Sequence, residues 1–233
     1  MKAIVLKRRE YREYDQIVSL FTELSGKVEL LTTGIKKIVS KNSGNLLVGS
    51  IVDIEIAKGK EINHLTKVQS INILRKSRED LSKSIAIKYI TELIDRVTKV
   101  EENDESIFLF LQQALEFIEQ TDQLNKSFIY GFVIKLFIIL GFSPVINNCV
   151  SCQSVKNINN FSVVNGGLIC TNCCSNENEK IHIYKINEQQ KAYFVVLLQE
   201  NWDVINTLKE NKQIFKLIKH YITFHSESNV QTI

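Results

Sequence analysis

The chain is 233 residues long, enough to bury a sizeable core and to divide into one or two domains. Its apolar fraction of 44% and charged fraction of 24% are those of a globular protein and exclude a disordered or fibrous one. The net charge of +3 is unevenly spread: residues 1–80 hold 15 Lys and Arg against 10 Asp and Glu, while residues 81–233 hold 14 against 16. A basic first third predicts a polyanionic partner there and a different role for the rest.

The opening MKAIVLKRREYREYD has four apolar residues in a row before charge resumes, too few for the core of a secretion signal. The expected location is therefore the cytoplasm, a reducing compartment in which clustered cysteines serve metal or redox chemistry rather than disulfides. Residues 1–76 read as five short strands. AIVLKRRE, DQIVSLFTE and KVELLTTG come first; IVDIEIAKG and HLTKVQSINIL follow a loop containing Ser43, Gly44, Asn45 and Gly49. Val52, Ile54 and Ile56 alternate with Asp53 and Glu55, the period of a half-buried strand. Five strands with no intervening long helix predict a small barrel, most commonly of the OB type. An SH3-like barrel has the same pattern.

The period then changes. Residues 77–233 read as an α-helical domain, giving an α+β protein of two domains, with an inserted zinc ribbon over 147–182. Ser77 and Asp80 resemble a capping box, and Leu81, Ile85, Tyr89, Leu93 and Val97 form a stripe widened by Ala86, Ile90 and Ile94. Further helices are predicted over 106–120, from 125 to Gly141, over 187–200, and over 211–224. The acidic group Glu101, Glu102, Asp104 and Glu105 reads as a solvated loop. The apolar run from Phe128 to Phe142 contains Lys135 and falls short of the roughly 20 residues of a membrane span, so it is expected to be a core helix, with no membrane partner.

All five cysteines lie between Cys149 and Cys174. Cys149 and Cys152 form one two-residue knuckle, Cys170 and Cys173 another, with 17 residues between them, the spacing of structural zinc sites. Asn165-Gly166-Gly167 signals a hairpin that returns the second knuckle to the first. Four thiolates give Zn²⁺ a closed tetrahedral shell, hence one structural ion per chain; iron also accepts four thiolates. Cys174 is the surplus thiol, since only Cys173 completes a two-residue knuckle. No nucleotide-binding, zinc-protease or serine-hydrolase motif occurs, and His64, His182, His220 and His225 are scattered, so no catalytic residue is expected.

The densest basic cluster is Lys7, Arg8, Arg9 and Arg12, followed by Lys36, Lys37 and Lys41. On a barrel such residues supply a groove for a phosphate backbone. Alternation sets Lys7 and Arg9 on the face opposite Arg8. Tyr11 and Tyr14 are candidates for base stacking or for packing at the barrel rim.

The order of these parts resembles the RecO family of bacterial recombination mediators. The resemblance rests on AIVLKRREYREYDQIVSLFTELSGKV, on LGFSPVINNCVSC and on NGGLICTNC, and it covers nearly the whole chain. It implies an OB-fold that binds single- and double-stranded DNA, annealing of complementary strands, and work alongside RecR and single-stranded DNA-binding protein in loading RecA. It also implies a nucleoid-associated place in the cytoplasm. Many members carry an arginine-rich segment after the third strand, where this chain has TTGIKKIVSK; its lysines keep the charge but lose bidentate phosphate geometry. The helical half is expected to offer a groove for the acidic, apolar C-terminal tail of single-stranded DNA-binding protein. The alternative function is a zinc-ribbon protein of transcription or translation that binds RNA or a polymerase. A thiol redox enzyme is a third reading.

Overall fold

A computed structural model describes residues 1–36, 44–100, 104–175 and 182–227. The chain divides into two compact units, Met1–Leu124 and Asn125–Ile233. In the first, β1 (Lys2–Glu10), β2 (Gln16–Thr22), β3 (Gly26–Thr32), β4 (Ile51–Ala57) and β5 (His64–Asn72) close into a barrel of order β1-β2-β3-β5-β4. All neighbours run antiparallel except β3 and β5, which meet in parallel at Leu31 and His64. This is the five-stranded OB arrangement. Ala3, Val5, Val18, Leu20, Leu30, Val52, Ile54 and Val68 fill the interior.

Strand β1 carries a bulge. Val5 pairs with Leu20 and Lys7 with Ser19, which leaves Leu6 as the extra residue. Strict alternation from Ala3 and Val5 would send Lys7 into the barrel. The bulge instead turns Lys7 and Arg9 outward and places Arg8 beside Val18 on the interior side.

Three helices complete this unit: α1 (Arg75–Arg78), α2 (Leu81–Val97) and α3 (Glu105–Gln120). Their starts differ from the sequence reading. Ser77 is no N-cap: it lies inside α1, where its N–H and hydroxyl both donate to the Glu119 carboxylate of α3. Asp80 caps α2 by accepting from the Lys83 N–H, and Asp104 caps α3, while Glu101 and Glu102 lie outside the described residues. The buried face of α2 is also turned. It runs through Ala86, Ile87, Ile90, Thr91, Leu93 and Ile94, whereas Leu81, Ile85 and Tyr89 are exposed. Lys83 joins the buried face by burying its stem and carrying its ammonium to the Thr121 carbonyl. Close packing of α2 on the loop before β4 depends on Gly49: a Cβ there would lie 2.4 Å from Ile87 Cγ2.

The second unit starts with α4 (Lys126–Ile139), followed by β6 (Asn160–Ser162), β7 (Gly167–Ile169), α5 (Thr171–Ser175) and β8 (Ile183–Lys185). It ends with α6 (Glu188–Gln199), α7 (Trp202–Thr207) and α8 (Lys212–Glu227). Helix α4 packs on α6, α7 and α8. The strands form an antiparallel sheet of order β7-β6-β8 whose two faces differ. Phe161, Leu168 and Tyr184 stand in register and turn to the helical core, where Phe161 meets the rings of Phe194 and Tyr221. Ile169 and Ile183 turn the other way, onto the cysteines. Among the described residues, no helix is long and apolar enough to cross a membrane.

Candidate metal centre and nucleic-acid interface

The two knuckles meet. The Sγ atoms of Cys149, Cys152, Cys170 and Cys173 all lie within 4.8 Å of one another, and Cys152 and Cys170 are 3.7 Å apart. Four sulfurs at the vertices of a zinc-sized tetrahedron stand about 3.8 Å apart, so the donor set fits a single metal ion. Each knuckle is shaped by its backbone. Gln153 takes a left-handed φ of 61° and donates its N–H to the Cys149 carbonyl, closing the first turn; Asn157, at φ 56°, accepts from Thr171 N–H and ties the first knuckle to the second. Cys174 N–H donates to the Cys170 carbonyl at the start of α5, and its thiol stays outside the four-sulfur group.

The hairpin between the knuckles needs both of its glycines. Gly166 has a φ of 73°, and a Cβ on Gly167 would lie 2.4 Å from the Val145 carbonyl oxygen. That approach lets Val145 donate to Gly166 and accept from Leu168, holding the hairpin to the chain just before the first knuckle.

The electrostatics favour a cation. Burial works to raise the Cys149 thiol, but N–H groups of Cys170, Cys152 and Ser151 and the Cys152 thiol outweigh it and bring Cys149 down to about 6. Cys173 is pushed up to about 12, chiefly by contact with the thiols of Cys170 and Cys152. One sulfur therefore ionises readily while its neighbour resists. A divalent ion reverses that resistance by supplying the missing positive charge. Among the described residues the local apolar core is small, with Cys149, Ile169 and Cys170 its buried members, so a metal would contribute much of the local folding energy.

The five described candidate cations, Lys7, Arg8, Arg9, Arg12 and Lys36, are not gathered in one place. Lys7 and Arg9 border a shallow outer cleft with Ile17, Ser19, Glu29 and Asp95. Arg9 pairs with Glu29 at 2.7 Å, with both side chains partly exposed. Arg8 lies on the other side of the strand, where Nε and one terminal nitrogen donate to Gln16 Oε1 at 2.9 and 2.7 Å and the other reaches the Leu46 carbonyl. Burial lowers its pKa, against the opposing influence of Glu10. Lys36 pairs with Glu10 at 2.6 Å. Arg12 sits at the exposed tip between β1 and β2, 5.1 Å above the Tyr11 ring. Among the described residues, Lys7 and Arg12 have no carboxylate partner; Lys37 and Lys41 lie outside the described residues.

Tyr11 and Tyr14 are each close to half exposed on the same tip. The tip is held by Asp15, whose carbonyl accepts from Tyr11 and Arg12 and whose carboxylate accepts from Gly34. The Tyr14 carbonyl accepts from Lys36.

A family model described as the recombination protein O N-terminal domain matches residues 1–74, and one described as the recombination protein O C-terminal domain matches residues 78–232. The chain belongs to the recombination protein O family. Relatives named DNA repair protein RecO include those of Thermoanaerobacter sp. (26% identical, 97% of this chain and 92% of the relative) and Alkaliphilus metalliredigens (27%, 96% and 92%). Another is that of Desulforamulus reducens (26%, 100% and 91%). The likeness to RecO proteins thus spans both units, and the OB-type barrel is the part matched by the RecO N-terminal model.

Sequence reasoning missed several groups that organise the RecO-type scaffold. Asp95 and Glu119 anchor helices to the rest of the first unit. His182 and His220, 38 residues apart, meet at 3.1 Å. Their meeting depends on β8, a three-residue strand too short to announce itself in composition.

Proposed function

We propose that this chain is a DNA repair and recombination mediator. It binds single- and double-stranded DNA on its barrel, anneals complementary strands, and works with RecR to load RecA onto DNA coated with single-stranded DNA-binding protein. The observation that carries this reading is the match of both units, in order, to the recombination protein O family. The barrel surface supports it. Lys7 and Arg12 are available to phosphate, and Arg9 is held by a surface ion pair of the kind worth about 0–1 kcal/mol, which a phosphate can displace at small cost. Arg8 serves the barrel mouth rather than the DNA. No observation favours the alternative of an RNA- or polymerase-binding factor.

Zinc is the proposed occupant of the four-cysteine group, because sulfur-only tetrahedral ligation suits Zn²⁺ and leaves no open coordination position. Its role there is to fold the ribbon. The tail of single-stranded DNA-binding protein is the proposed ligand of the helical unit.

The deciding experiment is annealing of complementary strands precoated with single-stranded DNA-binding protein, without ATP. The wild-type chain should accelerate annealing, and a Lys7→Ala/Arg12→Ala double variant should lose most of the acceleration. Wild-type annealing by that variant would refute the assignment of the DNA face.

A further inference from the structure

His182 immediately precedes β8; from there the chain turns Ile183 to the cysteine cluster and both His182 and Tyr184 to α8. There His182 Nδ1 lies 3.1 Å from His220 Nε2, and His220 Nδ1 lies 2.9 Å from the Tyr184 hydroxyl. The Phe224 ring packs 5.3 Å from His182 and restricts the imidazole from one side.

Two facing ring nitrogens at this distance can share one proton or one metal ion. Nitrogens bound at about 2.0–2.1 Å to one tetrahedral Zn²⁺ stand about 3.3 Å apart, so little movement is needed to admit a metal. The outer contact matches as well. A metal-bound imidazole holds its tautomer by donating its remote N–H to an oxygen, and Tyr184 supplies that oxygen for His220. The two ligands come from separate segments, each fixed independently: His182, just before β8, by its carbonyl accepting from the Val163 N–H, and α8 by burial of Leu217, Ile218 and Tyr221.

We propose that His182 and His220 form a bidentate site for a borderline divalent transition metal such as Zn²⁺, separate from the four-cysteine centre. Tyr184 is its positioning residue. Unlike the closed thiolate shell, this site leaves coordination positions for water or for an oxygen or nitrogen donor brought by a ligand. It does not depend on the functional reading given above.

The test uses the full chain without a histidine tag, preloaded with one equivalent of Zn²⁺ and titrated with further Zn²⁺. Calorimetry should show a second, weaker equivalent. The imidazole resonances of His182 and His220 should shift with it, while those of His64 and His225 stay in place. His220→Gln and His182→Gln should each abolish the second equivalent and keep the first. Tyr184→Phe, which retains both ligands, should weaken it about tenfold. Circular dichroism of each variant separates ligand loss from unfolding; should one histidine variant unfold, the wild-type resonance shifts and the other variant decide. A single equivalent in the wild-type chain, or an unchanged second equivalent in both histidine variants, would overturn the proposal.

Discussion

Lys27 Nζ stands 2.9 Å from Asp95 Oδ1, joining β3 to α2 across an ion pair whose two side chains are only 11% and 12% exposed. The same ammonium also donates to the Asp95 carbonyl, and Ser19 adds its hydroxyl to Oδ1 at 2.6 Å. The carboxylate thereby ties two barrel strands to one helix. A buried pair of this sort adds little net stability over apolar packing, but an abandoned partner is costly. Asp95→Ala, which strands the Lys27 charge, should lower stability by about 3–5 kcal/mol in urea unfolding. The double change Lys27→Met/Asp95→Leu should recover most of the loss. Equal losses in the single and double variants would show that shape, not charge, holds the helix.

Glu119 gives a pH-dependent counterpart. Burial acts to raise its pKa, but the Ser77 hydroxyl, the N–H groups of Ser77 and Lys76, and the nearby Lys83 charge together bring it below the usual 4.5. Because the folded pKa is depressed, its contribution is fully present above pH 4.5 and disappears as pH falls through the lower folded value. Glu119→Gln should therefore flatten the acid limb of the stability profile below that pH. At neutral pH it should cost about 1 kcal/mol, since the Lys76 and Ser77 donors lose a charged acceptor. An acid limb unchanged in the variant would assign the pH dependence to other carboxylates.

The five thiols should separate by role. Cys173→Ser is expected to lose bound metal and to loosen the ribbon, since its Sγ is one of the four clustered atoms. Cys174→Ser should keep one metal per chain and wild-type thermal stability. Metal content measured after gel filtration distinguishes them, and loss of metal from the Cys174 variant would contradict the ligand set.

Gly167→Ala tests the hairpin without touching a sulfur. Its Cβ would press on backbone atoms of Val145, which cannot rotate aside, so a loss of about 1–3 kcal/mol is expected. Gly44→Ala, at a site with nothing within 4 Å among the described residues, serves as control and should stay near wild type.

Removal of one phosphate contact should appear in the salt dependence of single-stranded DNA binding. Lys7→Ala and Arg12→Ala should each reduce the slope of log affinity against log salt by about 0.7. Arg8→Lys, by contrast, should alter stability through the lost double contact to Gln16 and leave the slope unchanged. A reduced slope in Arg8→Lys would return that residue to the DNA face.

Much of this molecule was legible in its sequence because the informative signals are local. Strand alternation, the spacing of Cys149, Cys152, Cys170 and Cys173, and the glycines of the hairpin act over a few residues. The four predicted ligands do converge. What was misread depends on distant partners. Leu81, Ile85 and Tyr89 have helical spacing, yet α2 turns Ile87 and Thr91 inward because Asp95, further along the helix, is fixed by Ser19 and Lys27. Ser77 looked like a cap until Glu119, 42 residues away, claimed its N–H and hydroxyl. The scattered histidines became a pair only once β8 and α8 were placed.

The extra residue in β1 gives the barrel a frame of its own. Up to Val5 the strand is written for the hydrophobic interior; after Leu6 the same alternation is read one step out of phase, so that a basic run can continue without a change of strand. Deleting Leu6 would remove the extra residue and set Lys7 directly after Val5, so ordinary alternation would keep Lys7 and Arg9 outward on a strand without the bulge. Point substitutions at Lys7 and Arg9 leave that reading frame intact, and a Leu6 deletion would cost the strand its local bend and added twist rather than exchange its interior and exterior.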